Sequence, residues 1–136
     1  MRIFLIFLLI GVTHEIPNLF AKSQEIKTGK ASWYSSKDAC GPKTNNIKGC
    51  PTASGKSIFD LESKKVLFCA VPRRSCRLGT RLKVTNSGNG KSVIVEVLDT
   101  GGFKKYNRAI DLGKEAFKKI ASLEDGVISV KIERVI

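Results

Sequence analysis

Histidine is almost missing from this chain: the one copy is His14, inside an apolar stretch at the N-terminus. If that stretch is a removed leader, the mature protein has none. That excludes Ser-His-Asp and Cys-His catalysis and the zinc sites that rely on histidine. Acids are also scarce, 12 Asp+Glu against 24 Lys+Arg, a net charge of +12. The field therefore attracts anionic partners. Long apolar runs are absent too. Residues 3–12 carry no charge, but Glu15 and Pro17 close the run well short of the ~20 residues a membrane-crossing helix needs. No repeat and no low-complexity segment interrupts the chain. What remains, at 136 residues with 42% hydrophobic and 26% charged, fits one ordinary globular domain. Catalysis, if present, rests on carboxylates, hydroxyls or lysines, and no metal or other cofactor is expected.

A basic start at Arg2, a short apolar core and a small residue at Ala21 read as a secretory signal over residues 1–21, with an uncleaved anchor as the alternative. No stable membrane anchor is expected, and the protein is placed outside the cytoplasm: secreted, periplasmic or associated with the cell wall. Cys40, Cys50, Cys69 and Cys76 form an even set, as in disulfide-stapled exported domains. Their wide gaps lack the C-x-x-C pairs of zinc sites. Three connectivities are open to four cysteines.

Residues 22–28 are polar and read as a flexible lead-in, followed by a folded domain over 29–136. Short strands are expected at 29–35, 66–71, 81–86, 91–98 and 127–133. Residues 36–56 read as a loop rich in Gly, Pro and Asn. Ser87-Gly88-Asn89-Gly90 reads as a hairpin turn. In the strand after it, Val93, Val95 and Val97 share one face. Residues 114–121 are the only stretch with helical periodicity, with Ala116, Phe117, Ile120 and Ala121 on one face. Many short strands with one short helix point to a compact all-β barrel.

Three ordered stretches carry a resemblance. They are Gly29-Lys30-Ala31-Ser32-Trp33-Tyr34; Thr52-Ala53-Ser54-Gly55 with Phe59-Asp60 and residues 78–86; and residues 93–103 continuing to Arg108-Ala109-Ile110-Asp111-Leu112. Together they resemble the rare lipoprotein A (RlpA) family, a branch of the barwin and expansin superfamily. The resemblance implies a six-stranded double-psi β-barrel, stapled by disulfides, with a shallow glycan groove. Bacterial members are lytic transglycosylases on peptidoglycan that prefer strands stripped of stem peptides; expansin-like members loosen walls without clear cleavage. Asp99 matches the aspartate of the family's Asp-Arg-Gly-Pro-Phe motif, and Asp111 the one after its Arg-Ile-Ile stretch. The glutamate that follows Thr-Ala-Ser-Gly in active members is Lys56 here, and their next-strand histidine is Val71 or is displaced into Pro72-Arg73-Arg74. Relatives with fewer cysteines keep the positions of Cys40 and Cys69, which implies Cys40–Cys69 with Cys50–Cys76; the local alternative is Cys40–Cys50 with Cys69–Cys76.

A lytic transglycosylase protonates the glycosidic oxygen, then takes the proton of the sugar's own 6-hydroxyl as an anhydro ring closes. One carboxylate can do both, whereas hydrolases use two. Asp99, where an apolar strand meets Gly101-Gly102, is the expected general acid/base; otherwise it is a turn aspartate bonding those glycines. Asp111 is expected to contact substrate, or else to serve the following helix or pair with Arg108. Asp60, Glu62 and Glu96 are further candidates for a second acid. Trp33, Tyr34, Phe103 and Tyr106 are expected along the groove with Lys56, the alternative being that the aromatics fill the core. The partners expected are a cell-wall glycan and anionic wall polymers, with no role for nucleic acid, and the protein is expected to be a monomer. The enzyme reading competes with a glycan-binding module that has lost its chemistry.

Overall fold

The computed structural model describes residues 26–40, 49–101 and 108–136; the leader, Phe103 and Tyr106 lie outside them. Six strands close into one barrel. They are β1 (Ile26–Tyr34), β2 (Phe68–Pro72), β3 (Arg81–Asn86), β4 (Ser92–Gly101), β5 (Ile110–Gly113) and β6 (Ile128–Arg134). Around the ring they run β1-β5-β2-β4-β3-β6. β1–β5 and β2–β4 pair in parallel and the other neighbours antiparallel. This is the double-psi barrel that the resemblance implied. Between the strands lie the short helices α1 (Ser36–Ala39) and α2 (Ile58–Ser63) and the longer α3 (Lys114–Ile120), with a 3-10 turn at Leu123–Asp125.

Period-two alternation fills the barrel. Leu82 and Val84 of β3, Val93, Val95 and Val97 of β4, and Ile110 and Leu112 of β5 point inward and are buried. α3 presents Ala116, Phe117 and Ile120 to the same core. The side chains of Asn86 and Asn89, at the β3–β4 hairpin, both donate to the Ile120 carbonyl at the end of α3 (2.8 and 2.9 Å), tying helix to hairpin. A second cluster forms outside the barrel wall, where Ile58 and Leu61 of α2 pack with Phe68 and Leu98.

β1 begins earlier than its composition suggested. Ile26, Lys27 and Thr28 pair with Glu133, Ile132 and Lys131 of β6, so backbone hydrogen bonding orders the polar end of the expected lead-in. On β6 itself only Val130 is fully buried, while Ile128 and Ile132 pack partly exposed against the core.

The disulfide expectation is corrected. Cys40 bonds Cys50, with 5.9 Å between their Cα atoms, and Cys69 and Cys76 are free thiols. Cys40 ends α1 and Cys50 leads into the loop before α2, so both reach the outer cluster. Cys69 faces the opposite way, into the barrel, and is fully buried. Cross-linking Cys40 to Cys69 would have to pass through the barrel wall.

Candidate active site

The strand registers bring four residues into one row across the barrel's outer face. Asp99 of β4 pairs with Ala70 of β2, Ala70 with Asp111 of β5, and Asp111 with Ser32 of β1. With strands spaced ~4.8 Å apart, the two aspartate backbones lie about 10 Å apart. The only side chain between them in the row is the methyl of Ala70. The result is a shallow floor flanked by two carboxylates.

Asp99 reaches this face through a break in the register. β2 pairs Cys69 with Val97 but Ala70 with Asp99, so Leu98 is an extra residue on β4. Strict alternation would have sent Asp99 into the core behind Val93, Val95 and Val97. The bulge re-aims it outward, a common use of bulges beside functional sites. Leu98 then packs in the outer cluster beside the aspartate.

Among the described residues, three donors hold the Asp99 carboxylate. Its Oδ1 accepts from the backbone N–H of Ala53 and of Thr100, both at 2.9 Å. Its Oδ2 accepts from the Tyr34 hydroxyl, also at 2.9 Å. The Ala53 donor belongs to the Thr52-Ala53-Ser54-Gly55 motif, which folds into a tight turn. Thr52 N–H and its hydroxyl both donate to the Lys56 carbonyl (2.8 and 2.9 Å), and Ser54 N–H donates to Leu98 O (3.0 Å). The motif is thus a clamp docked on the end of β4. Its main-chain partners among the described residues are Ala53 and Thr100; Gly102 lies outside them.

Tyr34 is positioned by packing. Its ring meets Phe68 edge to face, centroids 5.8 Å apart. Its register neighbour is Gly113, where a Cβ would lie 2.7 Å from Phe68 Cε1. Glycine at 113 therefore leaves room for the aromatic pair that reaches Asp99. Burial pushes the Tyr34 hydroxyl far above its ordinary pKa, and the negative charge and hydrogen bond of Asp99 push it the same way. Tyr34 is a neutral donor at any physiological pH.

Asp111 has a different environment. Ser32 Oγ donates to its Oδ1, Arg108 Nη1 donates to Ser32 Oγ at 2.9 Å, and Arg108 Nη1 stands 3.7 Å from Asp111 Oδ1. The expected ion pair with Arg108 is present, with Ser32 inserted as a bridge. Ser32 was not singled out in the sequence. Its signal was parity with Tyr34, two residues along the same strand.

Not every candidate joins the row. Trp33 is corrected from groove to core: it points away from Tyr34, packs against the barrel core, meets Phe117 at a tilt of 47° with centroids 6.5 Å apart, and its Nε1–H donates to Leu123 O at 3.0 Å. Lys56 contributes its carbonyl to the motif turn while its side chain is exposed. Val71 faces the core, nearly fully buried. Among the other acids, Glu62 accepts from Ser36 N–H at 3.0 Å and links α2 to α1. Glu96 sits mid-strand opposite Arg81, and Asp60 is exposed on α2. Among the described residues no cluster of His, Cys, Asp and Glu could hold a metal ion, and no helix is long and apolar enough to cross a membrane.

The family described as lytic transglycolase matches residues 26–132. A Rickettsia felis protein named endolytic peptidoglycan transglycosylase RlpA is 38% identical over 128 residues, 91% of this chain and 50% of that protein. The Neisseria meningitidis protein of the same name is 36% identical over 110 residues, covering 81% of this chain and 39% of its own. The chain spans half or less of these curated relatives. Among solved structures, Clavibacter michiganensis expansin superposes with a TM-score of 0.59 at 20% identity, covering 82% of this chain and 51% of that one. A Streptomyces papain inhibitor gives 0.58 at 25% identity, covering 82% and 96%. These structural likenesses bear on the fold.

Proposed function

Because this chain belongs to the lytic transglycolase family of double-psi β-barrels, we propose that it is an extracytoplasmic lytic transglycosylase that cleaves peptidoglycan glycan strands, with Asp99 as its general acid and base. The observation that carries the reading is the clamped Asp99 carboxylate beside the small floor of Ala70, where a glycan strand can lie across the row.

The chemistry needs one proton and one carboxyl group. Asp99 gives its proton to the glycosidic oxygen as the bond from that oxygen to the anomeric carbon breaks. The 6-hydroxyl oxygen of the same sugar then bonds the anomeric carbon, and Asp99 takes the hydroxyl proton. The products are a free 4-hydroxyl on one fragment and a 1,6-anhydro end on the other, with no water consumed. Tyr34 and the Ala53 and Thr100 amides hold the carboxyl group while it changes role, which is positional catalysis. Asp111, pinned by Ser32 and Arg108, offers the second edge of the floor as a sugar-hydroxyl acceptor. The net charge of +12 supports a further role for anionic wall polymers in retaining the protein at its substrate.

A second reading has its own observation. Lys56 and Val71 stand where active relatives carry glutamate and histidine, which favours a glycan-binding module without cleavage. Mass spectrometry of stripped peptidoglycan strands after incubation separates the two. The enzyme leaves anhydro ends, whereas the module binds the strands and leaves them intact.

A further inference from the structure

The row of Asp99, Ala70, Asp111 and Ser32 uses β4, β2, β5 and β1. The two strands it leaves, β3 and β6, are neighbours in the ring. At their seam, where β3 starts and β6 ends, a shallow pocket of about 410 Å3 is lined by Arg77, Gly79, Thr80, Arg81, Arg134 and Val135. That size falls within the range of small-molecule sites, ~300–1,000 Å3.

Its composition is selective. The chain holds 17 lysines and 7 arginines, yet the pocket takes three arginines and no lysine. They come from separate segments and line one pocket: Arg77 from the β2–β3 loop, Arg81 from the start of β3, Arg134 from the end of β6. No carboxylate lines the pocket, and among the described residues none of the three forms an ion pair. Glu96 faces Arg81 in register without pairing with it. Three like charges that form no ion pair repel one another, Glu96 offsets only part of that repulsion at Arg81, and a bound anion relieves the rest.

The backbone frames the pocket but is already committed. Gly79 N–H donates to Val97 O at 2.7 Å, Thr80 N–H to Arg77 O at 3.2 Å, and Val135 N–H to Arg81 O at 2.9 Å. Recognition therefore falls to the guanidinium groups, whose planar forks match oxyanions two oxygens at a time. A phosphate monoester, with a charge of about −1.5 to −2 and three acceptor oxygens, answers three such forks better than a singly charged carboxylate. The pocket also has room for the carrier of the phosphate.

We propose that this pocket is a phosphoryl-binding site, in which Arg77, Arg81 and Arg134 grip the phosphate of a sugar phosphate or of a lipid headgroup. It borders β4 through Gly79 and Thr80 but shares no residue with the Asp99 site, and it does not depend on the cleavage reading.

The test is an NMR titration of the full folded chain with glucose 6-phosphate, with glucose as the uncharged control. A parallel arm uses co-sedimentation with vesicles containing phosphatidic acid, whose headgroup is a phosphate monoester, against phosphatidylcholine vesicles. The expected result is saturable shifts at Thr80, Arg81, Arg134 and Val135 with glucose 6-phosphate and none with glucose. Losing a charged hydrogen bond lowers affinity ~10-fold or more, so Arg134→Gln should do so and Arg81→Gln with Arg134→Gln should remove binding. Arg134→Lys keeps the charge and recovers only part of the affinity. Lys119→Gln, an equal charge change on α3, should alter affinity less than about twofold, as expected of a screened surface charge. Vesicle binding lost in the double arginine variant assigns a lipid headgroup as the source, while sugar-phosphate binding alone assigns a soluble or glycan-borne phosphate. Absence of binding by both probes, or an equal loss in Lys119→Gln, overturns the site. Anhydro-end release should be the same in the arginine variants and wild type, which separates failure here from failure of the cleavage reading.

Discussion

Among the described residues the Tyr34 hydroxyl is one of three donors on Asp99 and the only one supplied by a side chain. A hydrogen bond to a charged group contributes ~1.5–3 kcal/mol, so Tyr34→Phe should slow anhydro-end release by ~10- to 100-fold. Glycan affinity should change little and the melting temperature should fall by several degrees; steady-state kinetics beside calorimetry checks this. Gly113→Ala acts on the same pair indirectly, because its methyl would press on Phe68 at 2.7 Å. Overpacking of this kind costs ~1–3 kcal/mol, visible as a lower denaturant midpoint with slower turnover. Lys56→Glu returns the family carboxylate at an exposed position whose structural contact is main-chain. It should leave stability unchanged and raise the rate near neutral pH, as read from a pH–rate profile of both proteins. Asp99 was legible in the sequence because a strand, a glycine pair and a family motif met at one residue. The orientation of Trp33 was not: adjacent aromatics on a strand face opposite sides, and nothing local says which side is the core.

At the scale of elements, the cross-link and the bulge set what the site can do. Cys40–Cys50 ties α1 to the loop before α2 under the motif turn. Replacing both cysteines by serine should cost ~2–4 kcal/mol, measured by urea unfolding, and non-reduced peptide maps should recover Cys40 joined to Cys50. The first expectation for these cysteines failed because it rested on the positions that relatives keep and not on which face each sulfur occupies. Deleting Leu98 removes the bulge and sets Asp99 directly after inward-facing Val97, so strict alternation keeps the carboxylate outward. The outer cluster loses a buried leucine and the motif turn loses its Leu98 carbonyl acceptor, so the melting temperature and the cleavage rate should both fall. Five strands and α3 could be read from alternation, apolar runs and aromatic content, and their observed bounds lie within about three residues of the expected ones. β5 could not be read this way. Its residues Ile110–Gly113 contain only Ile110 and Leu112 as an alternating pair, too few to establish a period. Neighbouring strands define it, and so it was visible only through the resemblance. The bulge was invisible for the same reason, since register belongs to a pair of strands.

For the whole molecule, closure of the barrel buries groups whose ionisation it must then resist. Burial raises the pKa of the Cys69 thiol and, with Asp99, that of the Tyr34 hydroxyl. Both are acids that ionise more readily in the unfolded chain. Their contribution is therefore fully present below the unfolded pKa values, ~8.5 and ~10, and is lost as pH rises above them. Stability should hold up to about pH 8.5 and then fall, by up to ~1.4 kcal/mol per pH unit for each ionising group; denaturant midpoints between pH 7 and 11 test this. The central claim is that one clamped carboxylate both gives and takes the proton. The most direct measurement compares wild type with Asp99→Asn on stripped peptidoglycan strands, quantifying anhydro ends by mass spectrometry and glycan binding by co-sedimentation. The account predicts anhydro ends from wild type, a fall of ~10²- to 10⁴-fold in the variant, and binding retained in both. Anhydro ends released by Asp99→Asn at the wild-type rate, or none from a folded wild type that binds the strands, would contradict it.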